Sequence, residues 1–190
     1  QLLDPPKKAY IDVARDIYKL YKIVDDQGTL TKIGHEITQF TSVPINRTLF
    51  LIYAFQMYCA KEASIIIAMT DKLAGKFANL FFKADTICQS GCEKPSAQNL
   101  MEKLVQTNGD HFTYLKIFQE FKKAADQKAW ARKYGIRLEL LNSAEKIANT
   151  YYYKMINLSK APQLSRVTTV DVKKRLLQAL NLSHQHLTAK

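Results

Sequence analysis

Between residues 9 and 24 apolar side chains return every three or four positions: Tyr10, Val13, Ala14, Ile17, Leu20, Tyr21 and Val24. That spacing predicts one amphipathic helix, because 3.6 residues per turn brings such positions onto a single face. The stretch DDQG at 25–28 supplies turn chemistry that stops it. In TLTKIGHEITQF, 29–40, Leu30 suits a brief strand pairing, Thr31 is placed to cap a new helix, and Gly34 lets that helix approach its neighbour closely. VPIN at 43–46 breaks the chain again. Helices are predicted next over 48–58 and 61–70, both apolar on most sides and therefore central. Another is predicted over 72–87, around Leu73, Phe77, Leu80 and Phe81.

The stretch 86–98 clusters Ser, Gly and Pro and reads as a loop, and a helix over 97–106 follows it. NGDHFTYLKIF, 108–118, then opens a core helix that runs to about residue 125, with Phe112, Leu115, Phe118 and Phe121 at helical spacing. Asp110 is placed to accept a backbone N–H and cap it, and His111 stands at its entrance. A short helix carries Trp130 to Tyr134, a long one covers 137–157, and LSKAPQLSR at 158–166 is a linker-like break before a last amphipathic helix over 170–180. On the long helix Leu140, Ala144, Ile147, Tyr151, Met155 and Leu158 share one face and are predicted core. No stretch reads as a β-hairpin, so the fold class is all-α or nearly so. Helix, tight turn, short strand and helix at the front outline part of a winged-helix unit, with a helical bundle behind it.

Composition adds a partner class. Of the 190 residues 47% are hydrophobic and 24% charged, the balance of a folded chain. The net charge is +11. It is not spread evenly: residues 1–40 carry six basic and six acidic side chains, 41–110 seven and six, and 111–190 fifteen and five, or +10 in the last eighty residues. A polyanion is the natural counterpart of such a half, nucleic acid the commonest one; the alternative is charge kept for solubility or for an acidic neighbouring domain. No apolar run approaches the roughly 18–20 residues that span a bilayer, so no membrane partner is expected. Cys59, Cys88 and Cys92 are too few for a disulfide scaffold and fit a reducing, intracellular compartment, cytoplasmic or nuclear. Cys88 and Cys92 are spaced C-x3-C, but no second pair stands near to complete a four-ligand zinc site, and no metal is expected. The chain starts with Gln inside running structure, as a piece of a longer protein would.

The motifs of catalysis are missing from the sequence. It holds no G-x-x-x-x-G-K-[ST] to cradle phosphates, no G-x-G-x-x-G, no nucleophile elbow and no H-E-x-x-H. No catalytic residue is assigned. His111 has no nucleophile or third partner in reach of the pattern, which argues against a general base.

Taken in order, LDPP at 3–6, IVDDQGTLTKIG at 23–34, the VPIN break, GDHFTYL at 109–115 and Trp130 resemble the C-terminal region of DEAH-box helicases over roughly residues 3–158. The chain departs from that pattern at Arg47, Tyr114, Ala131 and Arg137, as a divergent member would. The resemblance implies a partial winged-helix domain at 1–47, a ratchet or helicase-associated bundle at 48–158, and a linker and helix at 159–190 leading toward an OB-fold. It implies a non-catalytic piece of an ATP-dependent helicase, with ATP and Mg handled by RecA-like motor domains of the same polypeptide and no cofactor in this piece. Single-stranded RNA or DNA would pass along it. The alternative is a protein-interaction platform that docks an activator or the motor domains, marked by an exposed apolar patch around Tyr10, Tyr18 and Tyr21.

A strand-gripping surface needs cations for phosphate and polar or aromatic groups that tolerate any base. Asn142, Lys146, Asn149 and Tyr153 fall at i, i+4, i+7 and i+11, opposite the predicted core face of the long helix. Arg132, Lys133 and Arg137 cluster at the turn before it and suit phosphate contacts. His111, at a helix N-terminus that favours anions, is placed either to meet phosphate or to tether a neighbouring helix. For the four-residue stripe the competing reading is an ordinary solvated face. Trp130 is expected to anchor the core.

Overall fold

The computed structural model describes residues 5–82, 104–105, 109–159 and 169–185. They form the helices α1 (Lys8–Leu20), α2 (Lys32–Thr38), α3 (Ile45–Gln56), α4 (Ala60–Leu73), α5 (Asp110–Lys123), α6 (Gln127–Lys133), α7 (Leu138–Ser159) and α8 (Thr169–Ser183). Among the described residues β-structure is limited to two isolated antiparallel bridges, Val24 with Leu30 and Phe81 with Ile136. The molecule is all-α, as its periodicity requires. The predicted loop at 86–98 and most of the predicted 97–106 helix and 158–166 linker lie outside the described residues.

The chain divides into two compact units, Gln1–Ala60 with Met155–Lys190, and Lys61–Lys154. The first is built as the front of the sequence prescribes. Thr31 accepts the Gly34 N–H at 3.2 Å and so caps α2, while its own N–H donates to the Ile23 carbonyl at 3.0 Å. Tyr21, Ile23 and Leu49 form a small core with Ile17, Val24, Ile33, Ile37 and Tyr53 packed around it. α8 packs along α3 and buries Leu176 and Ala179. The Arg175 guanidinium donates to the Met57 carbonyl at 3.2 Å, and Asn46 meets His184 at 3.3 Å. α8 thus buries its apolar side on α3 and belongs to the first unit.

α3 ends in a left-handed residue that is not glycine. The Cys59 N–H reaches the Ala54 carbonyl at 2.8 Å and the Tyr58 N–H the Phe55 carbonyl at 3.1 Å, the two bonds of a Schellman cap, with Tyr58 at φ 59°. A side chain there costs roughly 1–2 kcal/mol, which the larger backbone entropy of an unfolded glycine offsets by about half. Tyr58→Gly is therefore expected to stabilise the first unit by about 0.5–1 kcal/mol in denaturant titration; a loss of stability would contradict this account of the cap.

The second unit surrounds one core. Met69 and Leu73 from α4, Leu80, Ile117, Phe118 and Phe121 from α5, Ala131 from α6, and Leu141, Ala144 and Ala148 from α7 are all buried in it. The helix predicted over 72–87 does not form as one piece. Ala74 and Gly75 both turn left-handed, at φ 49° and 69°, ending α4; a 3-10 turn, Phe77–Leu80, follows, and Phe81 goes extended to bridge Ile136. Trp130 packs on this core, 6.0 Å from the Phe121 ring and 5.1 Å from Tyr134, as the anchor expected of it.

Candidate nucleic-acid interface

α7 presents the predicted stripe. Around the helix, Leu141, Ala144 and Ala148 mark the buried side, with Leu140 and Ile147 half-buried beside them. Of the predicted face Ala144 and Met155 are buried and Leu140, Ile147, Tyr151 and Leu158 half-buried, while Leu141 and Ala148, not predicted, are buried with them. Asn142, Lys146, Asn149 and Tyr153 lie on the far side, and all four are exposed. Tyr153 is 61% exposed, with its ring 5.7 Å from Tyr152. Among the described residues the side chains of Asn142, Lys146 and Asn149 have no hydrogen bond or ion pair. Four groups in a row thus offer an ammonium, two amides and a phenol to whatever lies along the helix.

The cations nearby sort into held and available. Arg132 and Lys133, at the end of α6, are exposed; the Lys133 ammonium lies 5.6 Å from the centre of the Tyr134 ring. Arg137 is half-buried and its Nε donates to Glu139 at 2.9 Å, so part of its charge is already answered. Lys122 is held by Glu145 at 2.9 Å. Lys116 and Lys123 both reach Glu120, whose carboxyl they hold below the usual carboxylate range. Lys122 and Lys123 therefore form an ordinary charged surface, and Arg132, Lys133 and Lys146 are the cations left for a polyanion. Lys128 adds a fourth that the sequence reading missed: it is exposed, and it stands four residues before Arg132 on α6, a spacing that places both on one helix face.

At the start of α5 the cap differs from expectation. Gly109, at φ 105°, is the N-cap residue; its carbonyl takes the Phe112 and Thr113 N–H groups at 3.2 and 3.3 Å, and Asp110 is already inside the first turn without a side-chain capping bond. Glycine wins the position because only it reaches that backbone conformation without strain. Asp110 still favours the helix through the macrodipole, and by the same token places negative charge beside exposed His111, which weakens that N-terminus as a phosphate seat.

Over its whole length the chain aligns with the "Putative ATP-dependent RNA helicase L540" of Acanthamoeba polyphaga mimivirus, 52% identical over 208 aligned positions. Its homologues are named as ATP-dependent RNA helicases. A second, the ATP-dependent RNA helicase DHX33 of Mus musculus, is 26% identical over 111 positions, 57% of this chain. The chain spans 30% of the length of the mimivirus relative and 14% of the mouse one. No family model matches the chain. In the first unit, among the described residues, no helix is long and apolar enough to cross a membrane, and the same holds for the second.

Proposed function

We propose that this chain is a non-catalytic part of a DEAH-box-like, ATP-dependent RNA helicase, and that the α6–α7 surface forms one wall of its single-strand channel. In this reading residues 1–47 correspond to a partial winged helix, 48–158 to the ratchet-like bundle and 159–190 to the passage toward an OB-fold. RecA-like motor domains of the longer polypeptide would supply ATP and Mg chemistry. The observation that carries the reading is the exposed Asn142, Lys146, Asn149 and Tyr153 row opposite a buried alanine-rich face, in a half of the chain that holds nearly all the excess charge. Such a row grips backbone and stacks bases without reading their identity, as a strand that must slide requires. Arg132 and Lys133 are the phosphate contacts, with Arg137 and His111 as weaker ones because Glu139 and Asp110 stand beside them.

Reversing three of the four available charges (Arg132→Glu, Lys133→Glu, Lys146→Glu) is expected to cut affinity for a single-stranded RNA oligonucleotide by tenfold or more at low salt. It should also flatten the slope of log affinity against log salt by about 2, at roughly 0.7 per lost phosphate contact on a single strand. Fluorescence polarisation across a salt series measures both. Unchanged affinity and slope would remove these residues from the interface.

One observation favours a second reading. Tyr10, Ile11, Val13 and Leu20 of α1 are exposed by 67, 45, 57 and 44%, an apolar patch suited to another protein surface. The expected patch loses one member, since Tyr21 is buried at 3% exposure in the small core, while Tyr18 is exposed. Unchanged strand binding in the charge-reversed variant would favour this docking role.

A further inference from the structure

The first unit holds a groove of about 410 Å³ that the strand-gripping stripe does not explain. Its apolar walls come from Ile33 of α2, Ile52 and Phe55 of α3, and Met155 and Leu158 at the end of α7. Polar groups stand at the same groove: the Lys32 ammonium, the Glu36 carboxylate and the Gln56 amide. Burial pushes the Glu36 carboxyl above its ordinary range, against the pull of Lys32. Tyr58 also lines the groove and is 57% exposed.

Tyr58 is the part that packing does not account for. A large aromatic ring occupies the left-handed cap position where glycine is least strained, yet most of it faces solvent. The peptide that carries it is held from two sides, by the Cys59–Ala54 backbone bond and by the Arg175 guanidinium on the Met57 carbonyl. Strain kept at an exposed aromatic beside a groove, on an anchored backbone, is the signature of a side chain retained for contact with a ligand.

We propose that this groove takes one nucleobase of a single-stranded RNA, with the Tyr58 ring as its stacking face. A base needs a flat apolar slot, an aromatic platform and edge partners that both donate and accept. Phe55, Ile33 and Ile52 give the slot, the Gln56 amide gives both polarities, Glu36 accepts, and Lys32 is placed to answer the adjoining phosphate. The chain's basic balance brings the strand, and the site's own near-neutral set of Lys32 and Glu36 lets it select a base over bare phosphate. This site is additional to the stripe and rests on the single-strand reading above.

The test uses the full chain and an RNA oligonucleotide carrying 2-aminopurine, whose emission changes when it stacks. Wild type and Tyr58→Phe are expected to change that emission on binding, and Tyr58→Gly to abolish the change and weaken binding by about fivefold or more. Because Tyr58→Gly is expected to melt no lower than wild type, lost signal is not lost fold. If the strand binds Tyr58→Gly with the same emission change, the groove is not the base site, and the stripe reading survives. If no strand binds wild type at low salt, both fail together. If free 2-aminopurine riboside responds through Tyr58 while the strand does not, the ligand is a free nucleoside and the strand assignment is overturned.

Discussion

Phe121→Ala is expected to remove about 3–5 kcal/mol from the second unit. Phe121 is completely buried, with the rings of Phe118 at 6.1 Å and Trp130 at 6.0 Å. Truncation loses the transfer energy of the ring, leaves a cavity in the core of the unit, and breaks two aromatic pairs that add roughly 0.5–1.5 kcal/mol each. A unit of this size is stable by only about 5–14 kcal/mol at typical values per residue, so the loss is a large share of the whole. In a domain of under 100 residues it corresponds to a fall of at least 12 °C in midpoint, at about 4 °C or more per kcal/mol. Phe121→Leu should cost far less, because the site keeps most of its volume. Calorimetry of both variants checks the pair; a loss under about 1 kcal/mol for alanine would mean that the core is not centred on this ring.

Gly34→Ala is expected to destabilise the first unit by roughly 2–3 kcal/mol, against the usual sense of that substitution inside a helix. Alanine would normally gain about 1 kcal/mol of helix propensity. Here its Cβ would lie 2.2 Å from the Ile23 carbonyl oxygen and 2.9 Å from a Leu30 methyl. The methyl can rotate away. The carbonyl cannot, since it accepts the Thr31 N–H at 3.0 Å and belongs to the peptide next to the Val24–Leu30 bridge. Overpacking against fixed backbone costs more than propensity returns. Equilibrium unfolding that resolves the two units should show the loss in the first alone; a neutral or stabilising result would mean that α2 does not approach residue 23 this closely.

Much of this was legible in the chain because it depends on local chemistry. Thr31 caps, Gly34 packs tightly and Leu30 bridges for reasons contained within a dozen residues. Phe112, Leu115, Phe118 and Phe121 are all buried because a fully apolar row has only one place to go. What sequence misjudged depends on packing at a distance or on competition between near-equal choices. Leu140 and Leu141 are adjacent, and only the packing of the folded unit decides that Leu141 is fully buried and Leu140 half-buried. Asp110 and Gly109 compete for one cap, and backbone geometry gives it to glycine. The break at Ala74 has no proline to announce it. That α8 returns to α3 follows from a contact between residues more than a hundred positions apart. For the site, the stripe was visible as a period, whereas the pairing of Arg137 with Glu139 and of Lys122 with Glu145 needed coordinates to separate held charges from available ones.

The most direct test is where a strand touches. A single-stranded RNA bearing 4-thiouridine, irradiated on the full chain and mapped by mass spectrometry, is expected to cross-link within α7 at Asn149 and Tyr153 and beside Arg132, with the yield falling as salt rises. Cross-links confined to other surfaces, or none above a serum-albumin control at low salt, would contradict the channel-wall account.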